Sequence, residues 1–382
     1  MRDCFRMSHE AARYSWGAEF PEQHSPFVLG TDLLLDVAVQ VEARAVPEYL
    51  DRFRLAHGRS TQLNHPNILQ DFQLIEEPDR VLLFSQQFPG QTLSEILTDE
   101  PLTTARCLEV LIPVAQAVNY ACGYSSVHRL ISPQTIWLHN GQVKLRGAGW
   151  EFVDFYAQHT SESRSRWSEP LAYFSPELVL GERVTNQSDQ FSLGVLLYRL
   201  ASGRLPFPSQ SVRGVVDQIL ADSPDLECLP PRLQPIVERC LRKEADKRFP
   251  TMQALLAEFG VEPDCQSERE GYLISAALAR LSAGEPEEAL EVLREALTAY
   301  PYSALVHGHI GLRLNQINRH DEATDYFQRA IELKPFDPTF RYVFGHCELT
   351  RGNLERAALH FRRVLAISPD YASAQEGLSS CQ

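Results

Sequence analysis

The last third of the chain repeats itself every 34 residues. Pro301, Pro335 and Pro369 stand at that interval, as do Gly284, Asn318 and Gly352, and Ala289, Ala323 and Ala357. Leu293, Phe327 and Phe361, then Ala296, Ala330 and Val364, keep the same phase. A period of this length with fixed small, bulky and chain-breaking positions describes a helical hairpin. The small residues let two antiparallel helices approach, the bulky ones fill the space between them, and Pro or Asn/Gly ends each helix. One hairpin cannot bury its apolar face alone. Units at 270–303, 304–337 and 338–371 must therefore stack, with 372–382 as a capping helix.

These positions resemble the tetratricopeptide repeat. That resemblance implies an all-α solenoid whose concave groove, lined by the first helix of each repeat, binds another protein. The groove positions it implies include Ile274, Leu278, Leu305, Asn315, Tyr342, His346 and Leu349. Their mixed character, without the Lys/Arg/Asn set that clamps a terminal carboxylate, points to an apolar or helical segment of a partner protein. The first repeat is the loosest match, with Arg280 at a usually apolar place.

Ahead of a polar linker at 261–268 lies a different pattern. The β-type runs 33–41 (LLLDVAVQV) and 80–88 (RVLLFSQQF) enclose a helical pattern at about 47–63. That pattern stops at Asn64-His65-Pro66-Asn67, since Pro66 disfavours helix in the residue before it. From Leu93 to about Phe259 the periodicity is helical, and Pro113 inside one such stretch predicts a kink. Two segments interrupt it. One is VHRLISPQTIWLHNGQVKLRGAG (127–149), a loop followed by two short strands and a turn at Asn140-Gly141. The other, 150–170, is polar and unperiodic. Then come LAYFSPELVLGERVTNQSDQFSLGVLLYRLASGRLPFP (171–208) and CLRKEADKRFP (240–250). The helix 251–259 has Thr251 as N-cap and Gly260 as stop.

This arrangement resembles a bacterial-type serine/threonine protein kinase: a bilobal α+β domain over 26–260, with a small lobe at 26–90 and a large lobe at 91–260. VAVQ aligns with the family's V-A-I-K strand, HPNIL with the entry to the fourth strand, and 127–149 with the catalytic and metal-binding loops. The structural frame implied by the resemblance is present in His128, Arg129, Pro133, Glu177, Asp189 and Arg248. The reactive positions are replaced. Gln40 stands for the phosphate-holding Lys and Ala56 for its Glu partner. Leu130 stands for the base, Ser132 for the loop Lys, and Thr135 and Gly147 for the two metal ligands. Gly30 alone lies where G-x-G-x-x-G would cover the phosphates. The expectation is a pseudokinase, not an enzyme, with no metal site, no cofactor, and weak or absent binding of ATP and magnesium. Two alternatives stay open. One is an atypical kinase that relocates its carboxylates to Asp36, Glu151 or Asp154. The other is a metal-independent sensor of a nucleotide or small ligand in the cleft.

Composition narrows the class. The net charge of −14 offers no basic footprint for nucleic acid. No run approaches the roughly 18 apolar residues of a membrane span, and the polar start of the 1–25 extension is not a secretory signal. The eight cysteines form no C-x-x-C pair, which fits reduced thiols in a cytoplasmic protein. The expected function is a scaffold or adaptor that binds protein partners.

Overall fold

The structure is a computed structural model that describes residues 13–16, 27–45, 50–61, 63, 65–78, 80–124, 126–147, 168–209, 211–261, 273–280, 283–301 and 303–381. It divides into two compact units. One comprises residues 16–30 and 39–263, the other residues 1–15, 31–38 and 264–382.

The strands β1 (Tyr14–Trp16), β2 (Phe27–Asp32), β3 (Val37–Ala45), β4 (Asp71–Glu76) and β5 (Arg80–Gln86) form a sheet in the order β1-β2-β3-β5-β4. Strand β3 runs antiparallel to β5, with Gln40 opposite Ser85 and Glu42 opposite Leu83. Helix α1 (Leu50–Ser60) buries Phe53 and Ala56 against Val81 and Leu83 of β5. The strand expected over 33–41 starts only at Val37. Asp32 accepts hydrogen bonds from the Leu34 and Leu35 amides at 3.0 Å each, and Asp36 adopts φ 57°. An aspartate that satisfies two amides ahead of it makes a turn, and this local bonding overrides the strand propensity of three leucines.

After β6 (Gln91–Thr92) and α2 (Leu93–Ile96) comes α3 (Thr104–Gly123), a single 20-residue helix that Pro113 does not end. A 3₁₀ turn (Pro133–Thr135) leads into β7 (Ile136–His139) and β8 (Gln142–Leu145), which pair through the Asn140-Gly141 turn. The helices α4 (Ser168–Leu171), α5 (Pro176–Val179), α6 (Asn186–Ser202), α7 (Val212–Ala221), α8 (Gln234–Cys240) and α9 (Met252–Glu258) complete this unit. Helix α6 is buried nearly all round. Gly194 is why it can be: a Cβ there would lie 2.5 Å from that of Cys240. Thr251 Oγ1 accepts from the Ala254 amide at 3.1 Å, and Gly260 closes α9 at φ 82°.

The repeats follow as α10 (residues 273–280), α11 (Pro286–Ala299), α12 (Ala304–Gln316), α13 (His320–Leu333), α14 (Pro338–Thr350), α15 (Leu354–Ile367) and α16 (Ala372–Ser379). The small positions act as spacers. A Cβ on Gly311 would lie 3.0 Å from the Phe327 ring, and one on Gly345 would lie 3.0 Å from His360 Cβ. A further regularity appears at the start of two hairpins and of the capping helix. His307 Nε2 bonds the Pro301 carbonyl at 3.1 Å, Arg341 Nη2 the Pro335 carbonyl at 3.2 Å, and Gln375 Nε2 the Pro369 carbonyl at 2.9 Å. Each donor sits six residues past its proline, so the contact recurs with the 34-residue period. Arg280, out of place in the pattern, is exposed and pairs with Glu288.

Candidate functional site

The loop at 126–135 is built around one carboxylate. Asp189, fully buried on α6, accepts from the backbone amides of His128 (2.9 Å) and Arg129 (2.8 Å). These bonds hold Arg129 at φ 72°, a left-handed conformation costly for a side chain of that size. Burial outweighs the two bonds and raises the Asp189 carboxyl to about 6. His128 donates from Nε2 to the Arg146 carbonyl at 2.8 Å, and its burial lowers it to about 4. Pro133 opens the 3₁₀ turn, where a missing N–H costs nothing.

Glu177 and Arg248 form the second anchor. Arg248 Nη1 and Nη2 meet the two Glu177 oxygens at 2.7 and 3.0 Å, and Ser188 Oγ donates to Glu177 at 2.7 Å. The other Arg248 donors reach the carbonyls of Arg242, Lys243 and Gln187. A buried bidentate pair with its remaining donors satisfied is stable where either partner alone would be costly.

The replaced positions have turned inward. Leu130 lies in the apolar core of the large lobe. The Thr135 hydroxyl is 3.2 Å from the Leu130 carbonyl and 3.0 Å from that of Ser132, and it accepts from the Ser132 amide at 3.1 Å. Ser132 is buried with its Oγ unpartnered among the described residues. Gly147, at φ 82°, carries no ligand atom. Gln40 is buried on β3, and its Nε2 has no partner among the described residues. Ala56 packs on the sheet. These side chains do not fit a magnesium ion: Thr135 is committed to the loop, and the described residues contain no group of three or more His, Cys, Asp or Glu that could hold a metal. Ala148, Glu151, Asp154 and the 150–170 segment up to residue 167 lie outside the described residues; Asp36 is exposed in the β2–β3 turn.

A pair that the sequence reading missed joins strand β3 to the end of β8 instead. Glu42, two residues past Gln40 on the same face of β3, forms a salt bridge with Arg146, the residue before Gly147. Both side chains are almost wholly buried, at 4% and 5% exposure. Arg146 also donates its amide to the Thr135 carbonyl at 2.7 Å. One residue thus ties β3, the 3₁₀ turn and, through its own carbonyl, His128. The available signal was a Gln and a Glu two apart on a strand flanked by valines, which puts two polar groups on one buried face.

Of the groove candidates, Leu278, Leu305 and His346 are exposed. Ile274 is not on open surface: it is buried in the repeat core, in one apolar cluster with residues of its own hairpin and of the next. Tyr342 rests on Phe361 and Tyr371, with ring centroids 6.0 and 5.2 Å away, and Leu349 joins the same cluster. Asn315 is held by Arg351 at 2.6 and 2.9 Å and by His320 at 3.1 Å.

Comparison with known proteins places these features. Residues 58–259 match the protein kinase domain family, and 274–338 and 309–372 match the tetratricopeptide repeat. The chain is similar to the serine/threonine-protein kinase PknB of Mycobacterium tuberculosis, with 28% identity over 341 residues. That match covers 82% of this chain and 50% of that protein. It is also similar to the serine/threonine-protein kinase PrkC of Bacillus subtilis, with 26% identity over 242 residues, 60% of this chain and 37% of that protein. The chain thus spans half or less of the length of these relatives. The kinase domain of Mycobacterium tuberculosis PknI, solved as a cysteine-to-alanine mutant, superposes with a TM-score of 0.51 at 19% identity. It covers 64% of this chain and 94% of that one, which shows the shared fold. These matches correct the expectation that the chain is not an enzyme: the matched family is that of the protein kinases, and the curated relatives are named as serine/threonine kinases. The family match begins at residue 58, beyond Gln40 and Ala56.

Proposed function

The chain belongs to the protein kinase domain family, and on that premise we propose that it works on protein partners recruited by its tetratricopeptide repeats. The observation that carries this is the exposure of Leu278 (39%) and Leu305 (46%) on helices whose opposite faces are filled by the repeat core. Exposed leucines in a helical groove favour an apolar or amphipathic partner segment. The chain then acts as an adaptor or regulator that brings that partner to the kinase-fold unit. The test is affinity capture with the full chain and with a Leu278→Asp/Leu305→Asp variant. A partner retained equally by both would sink the groove assignment.

The names of the relatives favour a second reading, serine/threonine phosphoryl transfer to the recruited protein. The groups that would serve this chemistry are not those at 130, 135 and 147. Incubation with labelled ATP and magnesium, in the presence of captured partner, tests it by transfer of label to serine or threonine.

A further inference from the structure

Among the described residues, the third repeat carries more positive charge than its surroundings balance. Arg341 on α14 is 2% exposed. Its Nε and Nη2 both point to the Pro335 carbonyl, at 3.4 and 3.2 Å, and among the described residues Nη1 has no hydrogen-bond acceptor. A guanidinium this deeply buried is normally paired with an anion.

Its neighbours are mostly cationic. Arg356, His360 and Arg363 recur at helical spacing on one face of α15. The contact of Gly345 with His360 Cβ sets the antiparallel register, so Arg341, one turn before Gly345, comes opposite Arg363, one turn after His360. Burial, then Arg363, holds Arg341 down at about 10, and burial, then Arg341, Arg363 and Arg356, holds His360 at about 4. His360 Nδ1 and Arg363 Nε are buried without a partner among the described residues.

Among the described residues one carboxylate is at hand, and it is already used. Asp32 is fully buried, accepts from the Leu34 and Leu35 amides, and forms a salt bridge with Arg13 at 2.7 Å. Arg13 in turn donates to the Ala366 carbonyl at the end of α15 at 3.2 Å. Arg13 and Asp32 cancel, which leaves Arg341 and Arg363 unbalanced, with the exposed Arg356 beside them.

We propose that Arg341, Arg363 and Arg356 form a binding site for a dianionic phosphate group, with the Arg13–Asp32 pair as its wall. Two uncompensated guanidiniums match the roughly −1.5 to −2 charge of a phosphate monoester better than that of one carboxylate. The site lies between the two helices of the third repeat: Arg341 comes from the first helix, and Arg356 and Arg363 from the second. It accepts free phosphate or the phosphate of a phosphorylated protein segment.

The test is calorimetric titration of the full chain with inorganic phosphate, against chloride at matched ionic strength. Saturable binding of one phosphate per chain is expected, with a rise in melting temperature. Arg363→Gln, only half-buried in the native chain, weakens it by at least about tenfold. Asp32→Asn tightens it, because it frees Arg13 while keeping an oxygen for the two amides; a purely structural role for this cluster predicts no tightening. A phosphoserine peptide that binds more tightly than inorganic phosphate identifies a phosphorylated segment as the source, and equal or weaker binding identifies free phosphate. Heats of dilution alone, or unchanged affinity in Arg363→Gln, would overturn the site.

Discussion

Glu42 and Arg146, 104 residues apart in sequence, form a salt bridge almost out of reach of water. The resemblance implies a cation at 40 on β3 with a carboxylate at 56 on α1; here β3 carries the carboxylate and the cation precedes Gly147. Removing one partner leaves a buried charge uncompensated. Glu42→Gln or Arg146→Met should each cost about 3–5 kcal/mol, whereas Glu42→Leu with Arg146→Leu should cost much less. Urea denaturation of the three variants checks this, and single-variant losses well under about 1 kcal/mol would contradict it.

Acid should destabilise the kinase-fold unit. Burial holds His57, His65 and His128 at about 4, below the ordinary 6.5. The folded chain binds fewer protons at these sites than the unfolded chain. Their contribution is complete above pH 6.5 and is lost as pH falls through 4. Asp189, raised from 3.8 to about 6, acts the other way: its contribution is present below pH 3.8 and is lost as pH rises through 6. Three histidines outweigh one aspartate. Denaturant midpoints measured between pH 6.5 and 4 should fall steadily on acidification, by an amount on the order of a few kcal/mol. A flat profile would refute this.

Gly194→Ala offers a contest between propensity and space. Alanine in a helix interior is favoured over glycine by about 1 kcal/mol. The added methyl would lie 2.5 Å from Cys240 Cβ and 3.1 Å from Leu241 Cδ2, both in packed core. Overpacking of that kind costs about 1–3 kcal/mol, so the variant should melt below the parent by calorimetry. An unchanged or higher melting temperature would show that α6 and α8 can separate at little cost.

The proline-carbonyl contacts of the repeats predict which substitutions are tolerated. His307→Gln keeps a donor and should be close to neutral. His307→Leu strands the Pro301 carbonyl and should cost about 1–2 kcal/mol. Thermal denaturation of both variants decides whether the donor or the ring volume matters.

Much of the fold was legible because it is written in spacing. The 34-residue period and the blocks at 171–208 and 240–250 pointed to the repeats and to the Glu177–Arg248 frame through patterns local enough to count. The 33–41 strand failed because side-chain bonding by Asp32 was invisible to a count of apolar residues. Glu42–Arg146 failed for another reason: no periodicity links a strand to a loop so far along the chain, and a lone arginine after an apolar strand reads as surface. Ile274 was assigned to the groove by repeat phase, but phase alone cannot tell which positions of a helix the repeat core buries.

The three proline-carbonyl contacts use an imidazole, a guanidinium and a carboxamide for the same purpose. What recurs is a proton offered at one place, whatever group offers it. Each latch fastens the start of one hairpin, or of the capping helix, to the chain just before it, so the array can come undone a notch at a time without the rest giving way. Gln375, whose latch is exposed on the last helix, marks the notch that opens first.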